Sequence, residues 1–118
     1  MPRTSGGAFT FMIPGTAVVG TSQAGALVPD AFTISHVKVY STTAPTGASL
    51  IVNVKINGTT IFTTTANRPT VAISANAANS GIPDTTALAA GDRLTVDVDQ
   101  IGSTIAGGGP LFVTVVLV

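Results

Sequence analysis

Asn57-Gly58 lies between two arms of alternating apolar residues, and this dipeptide constrains the chain more than any other pair in it. Both residues accept the positive φ angles of a two-residue type I′ turn, whose twist matches that of the strands it joins. The stretch 45–65, PTGASLIVNVKINGTTIFTTT, therefore reads as a sharp β-hairpin. In that register Ile56 faces Thr59, Val54 faces Ile61 and Val52 faces Thr63. A period of two then gathers Leu50, Val52, Val54, Ile56 and Ile61 into a core layer. Ile51, Asn53, Lys55, Thr60, Phe62 and Thr64 form the other face, mixed enough to meet water or a partner.

The rest of the chain repeats the same grammar. Strands are expected at residues 8–13, 26–28, 32–40, 49–56, 60–65, 70–74, 93–101 and 111–118, separated by turn-forming clusters rich in Gly, Pro, Asn and Ser. No segment has a helical period with caps, and residues 85–90 are the one place with room for a helical turn. Within 32–40 the apolar set moves from Phe32 and Ile34 to Val37 and Val39, which calls for a bulge near Ser35-His36. About eight strands with several long connections fit an all-β, antiparallel two-sheet sandwich of jelly-roll type. An immunoglobulin-like sandwich is the alternative, although its Cys and Trp landmarks are missing.

The 118 residues suffice for one domain that buries roughly two-thirds of its unfolded surface. The chain has no cysteine, so a hydrophobic core or subunit contacts must hold it together, as suits assembly in a reducing cytoplasm. Only 8% of residues are charged, against about a quarter in an average protein, and five Lys and Arg balance five Asp. Such a surface offers little attraction to nucleic acid or anionic lipid and favours long-lived contact with other protein. Lys38, Lys55, Arg68 and Arg93 are scattered and aromatics are few, so no nucleic-acid partner is expected. No run of about 18 apolar residues exists to span a membrane as a helix. A secretory leader fits the N-terminus poorly, because Thr10, Pro14, Gly15 and Thr16 interrupt it while Phe9, Phe11 and Ile13 alternate as a strand does.

Catalytic signatures are lacking. There is no GxxxxGK[ST] loop, and Gly20-Thr21-Ser22-Gln23-Ala24-Gly25 lacks nucleophile-elbow spacing. His36, the one histidine, reads as a polar strand residue rather than a triad member or metal ligand. Asp97 and Asp99 share a strand face, but calcium asks for about six to eight oxygen ligands. Their expected role is solubility and protection of a strand edge. Asn57-Gly58-Thr59 matches a glycosylation acceptor, yet the turn already accounts for those residues. No catalytic residue, cofactor or metal is expected. The last strand, LFVTVVLV, has one polar residue and reads either as a central core strand or as one whose Phe112, Val116 and Val118 are covered by neighbouring subunits.

Residues 45–64 (PTGASLIVNVKINGTTIFTT), then Asn67-Arg68-Pro69, then ALAAGDRLTVDVDQIGST, together resemble a small domain of tailed-bacteriophage virion proteins. The likeness spans about residues 32–118. It implies a jelly-roll-like sandwich, frequently trimeric and without enzyme activity, found in capsid decoration (cement) proteins and in tail or fibre proteins. A chain that starts at Met1 and holds little beyond this module favours decoration over a fibre, which joins its tip to a shaft. The resemblance thus implies a homotrimer on the outer capsid surface of the virion, assembled in the host cytoplasm, with the major capsid protein as partner. Residues 1–31 would then be an N-terminal arm with the first strands, and residues 32–118 the jelly-roll body. Within the arm Arg3, Phe9, Phe11 and Ile13 would grip the shell, or the phenylalanines would belong to an intramolecular first strand. The alternative role is a receptor- or carbohydrate-binding module of a tail fibre, for which the absence of Trp leaves few aromatic platforms.

Overall fold

Asn57 and Gly58 adopt φ angles of 52° and 86°, the two positive values of a type I′ turn. A computed structural model describes residues 7–118, in which ten strands are present: β1 (Ala8–Ile13), β2 (Gly20–Leu27), β3 (Phe32–Thr43), β4 (Leu50–Ile56), β5 (Thr59–Thr60), β6 (Thr70–Val71), β7 (Ala77–Asn79), β8 (Ala87–Leu88), β9 (Arg93–Gln100) and β10 (Gly108–Leu117). From the turn the two halves of the chain run back along one another. β4 pairs with β5 and β6, β3 with β7 and β8, β2 with β9, and β1 with β10, all antiparallel. Paired residue numbers add to 115 beside the turn, Ile56 with Thr59, and still to 124 at the far end, Ala8 with Val116. The chain is thus one long hairpin.

Two further ladders roll that hairpin up. β10 pairs with β3 and β9 with β4, giving sheet orders β1-β10-β3-β7 and β2-β9-β4-β5, with β8 and β6 attached to β3 and β4. This is a jelly-roll sandwich. Its interior follows the period of two. Leu111, Val113, Val115 and Leu117 of β10 and Ile34, Val37 and Val39 of β3 face Leu50, Val52 and Val54 of β4 and Leu94, Val96 and Val98 of β9. The expected bulge is present: Val116 pairs with His36 but Leu117 with Ile34, leaving Ser35 between them as the inward set changes from even to odd.

The strands differ from expectation in the short elements and in β2, which begins at Gly20 and spans eight residues where only 26–28 were expected. The arm after Asn57-Gly58 keeps its register for Thr59 and Thr60, and the Ile61 N–H still bonds Val54 O at 3.0 Å, but the chain then leaves the sheet. Thr60 Oγ1 donates to Asn53 Oδ1 and accepts from the Phe62 N–H, which turns the backbone inward. Phe62, expected on the mixed face, is consequently fully buried. The excursion carries a 3-10 turn, Thr65–Asn67, and returns as β6. Residues 85–90, the one place with room for a helical turn, hold β8 paired on Phe32 and Thr33, and the expected loop at 75–84 contains β7.

Gly108 closes the roll. Its φ is 83°, and a Cβ there would lie 2.7 Å from Ala17 N and 3.0 Å from Gly15 O. The backbone of residues 15–17 packs directly on it, and the Gly108 N–H donates to the buried Ser41 Oγ at 2.7 Å. Gly58, by contrast, has open space around its Cβ position. Gly58→Ala should therefore cost only its positive φ, about 1–2 kcal/mol. Gly108→Ala adds a backbone clash and should cost about 3 kcal/mol or more. Urea unfolding midpoints of the two variants give the comparison, and a Gly108→Ala protein as stable as Gly58→Ala would contradict it.

Candidate functional site

The two outer faces of the sandwich differ in chemistry. On the β2-β9-β4 sheet the polar groups are engaged with one another. Asp97 and Asn53 are paired across β9 and β4, and Lys55 Nζ lies 2.7 Å from Asp97 Oδ2. The register of β2 jumps between Gly20, opposite Val98, and Ala24, opposite Val96; within that bulge Ser22 has φ 50° and its N–H donates to Asp97 Oδ1 at 2.8 Å. The bulge covers the carboxylate, which is 1% exposed. Arg68 Nη1 reaches Asp99 Oδ2 at 2.7 Å. The edge-protecting role expected of these aspartates is thus corrected: β9 is interior to its sheet, and both carboxylates are spent in ion pairs. The mixed hairpin face that contains Asn53 and Lys55 is largely covered as a result.

The outer face of the β1-β10-β3-β7 sheet alternates apolar with polar rows. Cross-strand registers set Met12, Phe112, Tyr40 and Ala77 in one row, Thr10, Thr114, Lys38 and Asn79 in the next, and Ala8, Val116 and His36 in a third. Met12 and Tyr40 are about half exposed. The Tyr40 and Phe112 rings lie 6.0 Å apart at 30°, and a groove of about 460 Å³ opens beside them against β7. Lys38, Ala77, Asn79 and Thr114 line it. Lys38 is the one charged side chain in these rows and joins no ion pair among the described residues.

The residues singled out from sequence separate accordingly. Arg3 lies outside the described residues. Phe9, Phe11 and Ile13 all point inward from β1: Phe11 and Ile13 are buried in the core, and Phe9 meets Phe32 edge-on at 5.6 Å. As shell-gripping side chains Phe11 and Ile13 are therefore corrected, because the alternation of β1 commits them to the interior and turns Ala8, Thr10 and Met12 outward. Phe112 and Val116 do face outward, half-buried, and Val118 is exposed. His36 is half-buried with Nδ1 2.9 Å from Ser35 Oγ. Sequence reasoning missed Tyr40, Met12 and Lys38; the alternation of residues 32–40 past the bulge already carried the signal for Tyr40 and Lys38. The chain matches no known protein-family model, and no curated protein matches its sequence.

Three side chains tie stability to pH. The Asp84 carboxyl is held below its ordinary 3.8, first by the Thr64 N–H and then by the Thr64 and Thr63 hydroxyls. Asp92 is likewise held low, first by the Ala89 N–H and then by the Asn57 amide. A lowered native pKa contributes stability in full above 3.8 that is lost as pH falls through the native value. Lys55 is raised above 10.5 by the hydrogen bond and charge of Asp97, so its contribution is full below 10.5 and is lost as pH rises through the native value. Thermal unfolding across pH should show both limbs, and the Asp84→Asn/Asp92→Asn double variant should flatten the acid one; an unchanged acid limb would refute the assignment. Asp97→Asn removes a buried carboxylate that accepts from both Lys55 and the Ser22 N–H, while Lys55 itself still reaches water; it should cost about 1–3 kcal/mol at neutral pH, read from the urea midpoint.

Proposed function

We propose that the protein is a bacteriophage capsid decoration (cement) protein, which binds the assembled head shell as a homotrimer and stabilises it without enzymatic chemistry. The observation that carries this reading is the outward face of the β1-β10-β3-β7 sheet, where Met12, Phe112, Tyr40, Ala77 and Val116 flank a polar row that holds a single lysine. A face of that kind is suited to permanent burial against protein. Neighbouring copies would cover Phe112, Val116 and Val118. Support also comes from the jelly-roll connectivity and from the resemblance carried by the Asn57-Gly58 hairpin and the 87–104 stretch. The mechanism is mass action: a protein that binds only the expanded lattice stabilises it, by about 2.7 kcal/mol per site when free protein stands at about 100 times Kd.

A second reading has its own observation. The Tyr40–Phe112 pair beside Asn79, Thr114 and Lys38 combines aromatic faces with hydrogen-bonding groups, as a carbohydrate-binding module of a tail fibre would require.

Native mass spectrometry should show trimers that Val116→Asp converts to monomers, and electron microscopy of intact particles should find the protein at three-fold or pseudo-three-fold positions of the head. Density confined to the tail, together with glycan binding lost in Tyr40→Ala, would replace decoration with the fibre reading.

A further inference from the structure

The strand directions bring four loops to one end of the molecule, which measures 47 Å along its longest axis. These are residues 14–19 between β1 and β2, 44–49 between β3 and β4, 72–76 between β6 and β7, and 101–107 between β9 and β10. The opposite end holds the Asn57-Gly58 turn, residues 28–31 and residues 89–92, and there Gly7 O accepts the Leu117 N–H. Asp30, Asp92 and Arg93 stand at that end. The four loops together contain no charged residue at all. Asp99, one residue before the end of β9, is neutralised by Arg68. Among the described residues the molecule is therefore polarised, with one charged end and one neutral end.

The neutral end is also apolar and braced. Val18, Val19, Ile73 and Ile105 project from three of the loops and are each between 47% and 60% exposed. Their backbones are cross-linked: Ala17 N–H to Gly107 O at 2.9 Å, Thr46 N–H to Ile105 O at 2.9 Å, Thr104 N–H to Thr46 O at 3.0 Å and Ser74 N–H to Pro45 O at 2.8 Å. The Ile105 N–H also donates to Thr46 Oγ1 at 3.1 Å. Each loop is held by at least one other, so the aliphatic tips stand on a surface shaped before any partner arrives.

We infer that this charge-free loop end is the surface through which the protein docks onto an uncharged, apolar patch of its shell. The inference rests on the decoration reading and assigns the end that faces inward. Burying this end strips no ion of water, and its bracing leaves little loop entropy to lose on binding. A neutral tip fits a neutral protein surface for the same reason that a charged one does not. A lipid surface suits it poorly, since the four loops offer neither the basic nor the aromatic residues that anchor proteins at a bilayer interface. The charged end, where residue 7 lies beside Leu117, then points outward.

The test uses virus heads purified from particles lacking this chain, with binding measured by co-sedimentation at low and high salt. Ile105→Asp and Val19→Asp should each weaken binding by at least about tenfold, whereas Ala31→Asp at the charged end should leave it within about twofold. Wild-type binding should persist at high salt, since no charge pair carries it. Circular dichroism melts establish that each variant is folded, and Ile73→Asp replaces any that is not. If wild type binds and the loop variants bind equally well, the docking end is wrong while the decoration reading stands. If wild type does not bind heads, both fall. Two other outcomes also overturn the inference: wild-type binding to phosphatidylcholine vesicles that Ile105→Asp abolishes would assign the end to lipid, and self-association abolished by the same variant would assign it to a second copy.

Discussion

Pairing of β10 with β3, and of β9 with β4, is the interaction on which the rest of the structure depends. Without these two ladders the chain would be a flat double ribbon folded at Asn57-Gly58, with both faces wet. With them the ribbon rolls, and alternate residues of four long strands meet in one interior. Cores of this kind need no disulfide, because apolar burial contributes about 25 cal/mol per Å² removed from water. The ladders also fix what lies outside: the residues that alternate with the core on β10 and β3 are Phe112, Thr114, Val116, Lys38 and Tyr40.

The outer faces show two uses of the same alternation. On one sheet the outward positions carry Asn53, Lys55, Asp97 and Asp99, which bond to one another and to Ser22, Thr60 and Arg68. These groups satisfy their own polarity and leave little for a partner. On the other sheet aliphatic and aromatic outward positions alternate with Thr10, Thr114, Lys38, Asn79 and His36, with no acidic counterpart to Lys38 in the rows. Such a face gains from being covered.

Legibility in the sequence followed the range of the interaction. The type I′ turn, the long strands other than β2 and the bulge at Ser35 were readable because each depends on neighbours in sequence or on a period of two, which the sequence GTSQAGAL of β2 lacks. The early exit of the chain after Thr60 was not readable, because Thr60 turns it inward by bonding Asn53 on the neighbouring strand, and Asp84 then holds Thr64 from twenty residues on. β8 is only Ala87 and Leu88, too short to show a period. The burial of Asp97 depends on Ser22 lying over it from a bulged strand, a relation that no local pattern announces. For the candidate face, Phe112 and Val116 were visible by alternation, whereas the groove beside Phe112 needs β7 to pair with β3 from about forty residues away. The neutral loop end was unread for a different reason: its loops become neighbours only through the roll.

Nested pairing about a single turn also orders the assembly of the fold in time. Ile56 and Thr59 are separated by two residues and can meet at once, while Ala8 and Val116 are partners across nearly the whole chain. Loop-closure entropy rises by only about 0.6 kcal/mol per doubling of length, provided the intervening pairs have not yet formed. Once β4 has found β5 and β6, each outer pair needs to close only the short gap left by the pair inside it. The rolled hairpin can therefore zip outward from Asn57-Gly58, replacing one very long search by a series of short ones.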